Sequence, residues 1–112
     1  MAASNIALLS IGVTAAAAIT QYRAITAAGA VSTAAGNAVG FSNTDAASGD
    51  RVPVTAVGTA IATAGAAIVV GAAVEVGTAG KVVTKSAGIT VGRALTAAAA
   101  DGDLIEVLVI GN

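Results

Sequence analysis

The chain reads as an all-β protein: a small, compact β-barrel or sandwich-like domain made of short strands. Three observations lead there. Fifteen Val, nine Ile and twelve Thr are β-branched, stiff at χ1 and at ease on a pleated surface. Fourteen glycines recur every few residues, leaving few windows long enough for a helix. The apolar runs between them are short and bounded by turn residues, the pattern of sandwiches and barrels. Thirty-one alanines argue the other way, since Ala has the best helix propensity, but the neighbours of those alanines are strand formers. At 112 residues the length allows one domain. We expect residues 1–18 to be an extended N-terminal arm or edge strand and residues 19–112 a single β domain.

The elements follow in order. Residues 1–18 carry no charge and no clear period. Residues 19–27 (ITQYRAITA) predict a strand, and 37–42 a short second one. Residues 42–49 (SNTDAASG) are the most polar stretch and read as a surface loop. Over 51–61, Val52, Val54 and Ala56 share a face, and Val57, Thr59 and Ile61 continue it with a shifted phase; the shift beside Gly58 predicts a bulge or bend. Residues 66–70 and 73–76 are short strands around Gly71. Thr78-Ala79-Gly80 is a turn leading into a strand over 81–85. Residues 89–95 alternate through Ile89, Val91, Arg93 and Leu95. Residues 95–100, with Ala97 to Ala100 ahead of Gly102, predict one short helical turn stopped by glycine. Residues 104–110 (LIEVLVI) are the strongest strand; both faces are apolar except at Glu106, which predicts a central, buried position.

Composition removes much chemistry. The chain has no His, Cys or Trp, and its aromatics are Tyr22 and Phe41. A disulfide framework is excluded. So are Zn, haem and iron–sulfur sites built on Cys or His, and His-based acid–base or triad catalysis. Five basic and six acidic residues are scattered singly, for a net charge of −1. No basic stripe is present to track phosphates, so no nucleic-acid partner is expected, and no polybasic cluster marks an anionic membrane. Residues 1–22 and 52–74 are long enough to span a bilayer as helices but are dominated by Ala, Gly, Thr and Ser, which insert poorly. The spacings Gly36–Gly40 and Gly88–Gly92 match GxxxG outside any apolar 20-mer. No membrane partner is expected.

Local motifs reduce to turns. Gly80-Lys81 lacks the rest of a phosphate loop: Glu75 stands where its first glycine belongs, and Val82 follows the lysine in place of Ser or Thr. No Gly-x-Gly pair occurs, so the dinucleotide fingerprint is absent. Asp101-Gly102-Asp103 resembles the start of a calcium loop, but Ile105 holds the fifth position and the bidentate Glu is missing; Asp-Gly is a turn signal. Asp50-Arg51 reads as a solvated pair. Glu106, alone in an apolar strand, is expected to pair with Arg93 or Arg51 across a sheet or to face an interface. These readings leave no catalytic, cofactor-binding or metal residue and no cofactor.

The order of several short segments is more telling than any one of them. Gln21-Tyr22-Arg23, Ala38-Val39-Gly40 and Ala47-Ser48-Gly49-Asp50 are followed by Ala64-Gly65-Ala66-Ala67-Ile68, Ala79-Gly80-Lys81-Val82 and Val91-Gly92-Arg93-Ala94-Leu95. Last comes Asp101-Gly102-Asp103-Leu104-Ile105-Glu106-Val107-Leu108. The succession, over about residues 19–110, resembles the capsid cement (head decoration) proteins of tailed bacteriophages. The resemblance implies a compact all-β domain and no enzymatic activity. It implies a virion protein, made in the host cytoplasm, on the outer surface of the head, where it binds the major capsid protein and stabilises contacts between its subunits. A homo-oligomer is implied, a homotrimer by analogy with such proteins, with a dimer or a monomer on the shell as the alternatives. The uncharged residues 1–18 are the candidate for adding a strand to a capsid edge. The alternatives are another assembly subunit of a tail, fibre or surface array and, further off, a small membrane protein.

Overall fold

One long strand organises the molecule. In the computed structural model, which describes residues 5–110, β4 (Arg51–Thr63) carries neighbours along both of its halves. β1 (Ala7–Thr14) pairs antiparallel with its first half, with Thr14 opposite Arg51 and Val13 opposite Val52. β8 (Leu104–Val109) pairs antiparallel with its second half, with Thr63 opposite Leu104 and Thr59 opposite Leu108. The other strands are β2 (Ala24–Ile25), β3 (Gly40–Ser42), β5 (Ala73–Val76), β6 (Val82–Thr84) and β7 (Gly92–Ala94). The sheet runs β2-β3-β4-β8-β7-β5-β6, with β1 off this path. A parallel bridge from Val82 back to Ala64 brings its far end round to the end of β4, so the domain is all-β and barrel-like, as expected.

The phase shift predicted beside Gly58 is a change of core. Val52 and Val54 pack with Val13, Ala15, Ile19 and Ile25. Ala60 and Ala62 pack in a second cluster with Val74, Ile105 and Val107. Between them Ser10 faces Thr55 but Leu9 faces Val57, so Ala56 is an extra residue on β4; on β1 the bulged residue is Leu8. Val13, Ile11 and Leu9 alternate onto one face of β1, and their partners are Val52, Val54 and Val57. The bulge therefore keeps Val57, Thr59 and Ile61 on the face of Val52 and Val54. That face is buried at one end of β4 and solvent-facing at the other. Gly58, at φ 107°, has no room for a side chain: a Cβ would run into the Ile6 carbonyl oxygen.

The two halves are built alike. Ala24 and Ile25 of β2 face Phe41 and Gly40 of β3, as Ala73 and Val74 of β5 face Arg93 and Gly92 of β7. Ile19 bridges Ala46, and Ile68 bridges Ala98. The Tyr22 N–H donates to the Ser42 carbonyl and the Gly71 N–H to that of Ala94, with φ 64° at Tyr22 and 88° at Gly71. Ala15 exchanges backbone bonds with Gly49 and Asp50, and Ala64 does so with Gly102 and Asp103. The chain is thus a tandem of one unit, and β4 is both the last strand of the first unit and the first strand of the second.

Several boundaries differ from expectation. The strand over 19–27 shrinks to β2 plus the Ile19 bridge because positive φ at Tyr22 turns the chain. The run 66–70 keeps only the Ile68 bridge, with Gly71 making the equivalent turn. No helical turn forms over 95–100. Ala98 exchanges both backbone bonds with Ile68, and the Asp103 carboxylate takes the N–H groups of Ala99 and Ala100, so the alanines' helical preference has no donors left to use. A single 3-10 turn lies instead at Thr78–Gly80. β8 is central but buried on one face only: Ile105 and Val107 are fully buried, while Leu104 and Leu108 are 36% and 40% exposed. Of the expected N-terminal arm, residues 1–4 lie outside the described residues and residues 7–14 form β1.

Candidate functional site

The turn motifs fall where their chemistry is structural. Lys81 Nζ meets Asp101 Oδ1 at 2.9 Å, and a Cβ on Gly80 would meet Val31 Cγ1 at 2.6 Å; this is a packed turn between β5 and β6. Asp103 spends Oδ2 on the Ala99 N–H (2.8 Å) and the Ala100 N–H (3.2 Å). Asp50, its counterpart in the first unit, takes the Ala47 N–H at 3.1 Å. These carboxylates close loops, as the Asp-Gly signal implies. Arg51 Nη1 donates to Thr14 Oγ1 at 3.3 Å, and Arg93 Nη1 donates to the Gly71 carbonyl at 2.7 Å. Glu106 is half-buried on β8 opposite Ile61.

Sequence reasoning missed the role of Glu75. It is 7% exposed, and its Oε1 accepts the backbone N–H groups of Ser86 and Gly88. A buried carboxylate needs such donors, and here they fold the loop from β6 back over β5. The sequence signal was a lone Glu between Val74 and Val76 in a short apolar strand. Among the described residues no group of three or more His, Cys, Asp or Glu side chains is placed to hold a metal ion, and no helix is long and apolar enough to cross a membrane.

What the surface offers is contact area. Two open grooves, of about 640 and 450 Å³, flank the loop through Val31, Ser32 and Thr33 and are lined by alanine, threonine and valine. β1 pairs with β4 alone among the described strands, and near its start Ile6 and the bulged Leu8 are 60% and 77% exposed. A strand with one free edge and apolar side chains beside it is a template for another chain. A second aliphatic area covers the outer face of β4, β8 and β7: residues paired across an antiparallel ladder share a face, which places Ile61, Leu104, Glu106, Leu108 and Arg93 together.

A small β domain with an open strand edge and exposed aliphatic faces belongs to the class of β-sheet assembly domains. The chain is a member of the phage cement protein family, whose model matches residues 4–109; it is a structural protein of the phage capsid. Among solved structures it is similar to the N-terminal base of the head fiber protein gp8.5 of bacteriophage phi29, with 19% identity and a TM-score of 0.74, over 91% of this chain and 93% of that one. At that identity the likeness shows a shared fold. No curated protein gives a match.

Proposed function

We propose that the protein is a non-enzymatic decoration subunit that binds the outer surface of the head, contacts the major capsid protein and clamps neighbouring capsid subunits, acting as a homotrimer. The observation that carries this reading is the family match over residues 4–109. The geometry supports it: a clamp needs area and a fixed shape, and Ile6 and Leu8, exposed beside the open edge of β1, supply apolar area. The fold is also the one used by the base of a phage head fiber. The N-terminal segment, residues 1–18, is the part proposed to reach the capsid. β1 has an edge to which a capsid strand adds by main-chain hydrogen bonds, with Ile6 and Leu8 beside it.

The test is co-sedimentation of the purified chain with expanded heads lacking it. Saturable binding is expected, and it weakens when Ile6 and Leu8 are both changed to Lys. A folded wild-type chain that leaves the heads in the supernatant overturns the reading. Co-purification with tails in place of heads supports the tail-subunit alternative.

A further inference from the structure

The tandem build supplies an internal comparison that isolates one surface. Both units present an outer sheet face made from equivalent positions. In the first unit, Arg51, Pro53 and Thr55 of β4 lie opposite Thr14, Gly12 and Ser10 of β1; Arg51 and Pro53 are exposed, while Thr55 is fully buried and bonds Asn5 and Asn43. In the second, Leu104, Glu106 and Leu108 of β8 lie opposite Thr63, Ile61 and Thr59 of β4. The backbone bond from the Asn43 N–H to the Pro53 carbonyl matches that from the Leu95 N–H to the Glu106 carbonyl, so Leu95 stands where the first unit has Asn43. The loop residues Val69 and Val70, 71% and 63% exposed, stand where the first unit has Thr20 and Gln21.

The first unit shows that this fold forms with polar or small residues at these places. The second unit carries aliphatic side chains there, and they remain exposed: Leu95 at 39%, with Leu104 and Leu108 alongside. Leu9 and Val57, paired across β1 and β4 on the same face, extend the patch at 50% and 45% exposure. An antiparallel sheet with one solvated face normally places polar residues on it. Folding does not explain this departure; a cover does.

We infer that this face of β4, β8 and β7 is covered by a second copy of this chain and is the subunit contact of the oligomer. The inference rests on the decoration reading for the existence of an oligomer and adds its surface. Applied to side-chain areas, the exposed fractions amount to roughly 450 Å² of apolar surface, within the range for the largest patch on a monomer. A standard contact takes about 800 Å² from each partner, about 65% of it apolar in homodimers, so the patch supplies most of that share. Only Arg93 and Glu106 bring charge to the face, and they are of opposite sign.

The experiment replaces second-unit residues by their own first-unit counterparts: Leu95→Asn, Leu104→Arg and Leu108→Thr together. Mass is read by light scattering and sedimentation equilibrium at micromolar concentration, and folding by circular dichroism. The wild-type chain is expected to be an oligomer and the triple variant to fall to the mass of one chain with an unchanged β spectrum. Should the triple variant misfold, Val69→Thr with Val70→Gln, outside the strands, carries the test and is expected to shift the mass average toward one chain. A monomeric wild type, or folded variants that keep the wild-type mass, overturns the inference. Head binding is scored separately: an oligomer that ignores heads removes the decoration reading and leaves this surface standing.

Discussion

Phe41 offers the sharpest test of how the two units are joined. It sits on β3 of the first unit, is fully buried, and belongs to the core cluster of the second. Phe41→Ala removes the one buried phenyl ring among the described residues. Withdrawing a side chain of that size from water is worth about 1.5–3 kcal/mol, and the hole left behind raises the usual cost of Phe→Ala to about 3–5 kcal/mol. The residues sharing the cluster include Ala24, Ala60, Ala62 and Ala94. Alanine has no rotamers with which to swing into a gap, so the cavity stays open and the cost falls in the upper half of that range. Domains of this kind hold about 5–15 kcal/mol in total. At about 4–8 °C per kcal/mol for a domain near this size, the midpoint should fall by roughly 15–40 °C. Thermal unfolding followed by circular dichroism and calorimetry measures it. Because both units share β4 and this ring, both proteins should melt in one cooperative transition. A shift below about 5 °C on the same scale, or two separated transitions, refutes the shared-core argument.

Further outcomes are expected at five other positions. Gly58→Val drives a side chain into the Ile6 carbonyl at positive φ, so hydrogen exchange should show protection lost over β1 and retained over β8. Asp103→Ala removes the acceptor of two backbone N–H groups and should cost about 1–3 kcal/mol in denaturant titration; Lys81→Ala removes an ion pair whose carboxylate partner is 63% exposed and should cost about 0–1 kcal/mol. Ser42→Ala deletes a buried hydroxyl that donates to the Thr20 carbonyl at 2.9 Å and accepts the Arg23 N–H at 3.2 Å. It should cost about 1–3 kcal/mol, whereas Ser48→Ala, exposed and with one long contact at 3.3 Å, should stay within about 0.5 kcal/mol.

The sequence carried the strands whose alternation is strong and whose ends are marked by turn residues. β4, β5 and β8 stand close to their expected bounds, and the bulge beside Gly58 was legible because the apolar phase changes there. The short elements were not. Between residues 19 and 27 the break comes from positive φ at Tyr22, a conformation the residue type does not announce. At 95–100 a run of alanines favoured a helical turn locally, and bonds to the distant Ile68 and to Asp103 override it. The tandem build left only faint marks: Gly36–Gly40 against Gly88–Gly92, and Ser48-Gly49-Asp50 against Asp101-Gly102-Asp103. Alanine, glycine and valine replace one another so freely that equivalence is carried by backbone bonds and not by side chains. For the same reason the candidate surface was not visible in advance. Leu104 and Leu108 alternate with Ile105 and Val107, and an apolar strand does not say which of its faces is covered by the chain itself.

The most direct test of the capsid-decoration account is an electron-microscopy reconstruction of expanded heads incubated with the protein. The account predicts added density on the outer surface, in contact with the major capsid protein, into which this β domain fits with β1 against the shell. Heads that reconstruct without outer density, in the presence of folded protein at saturating concentration, contradict it.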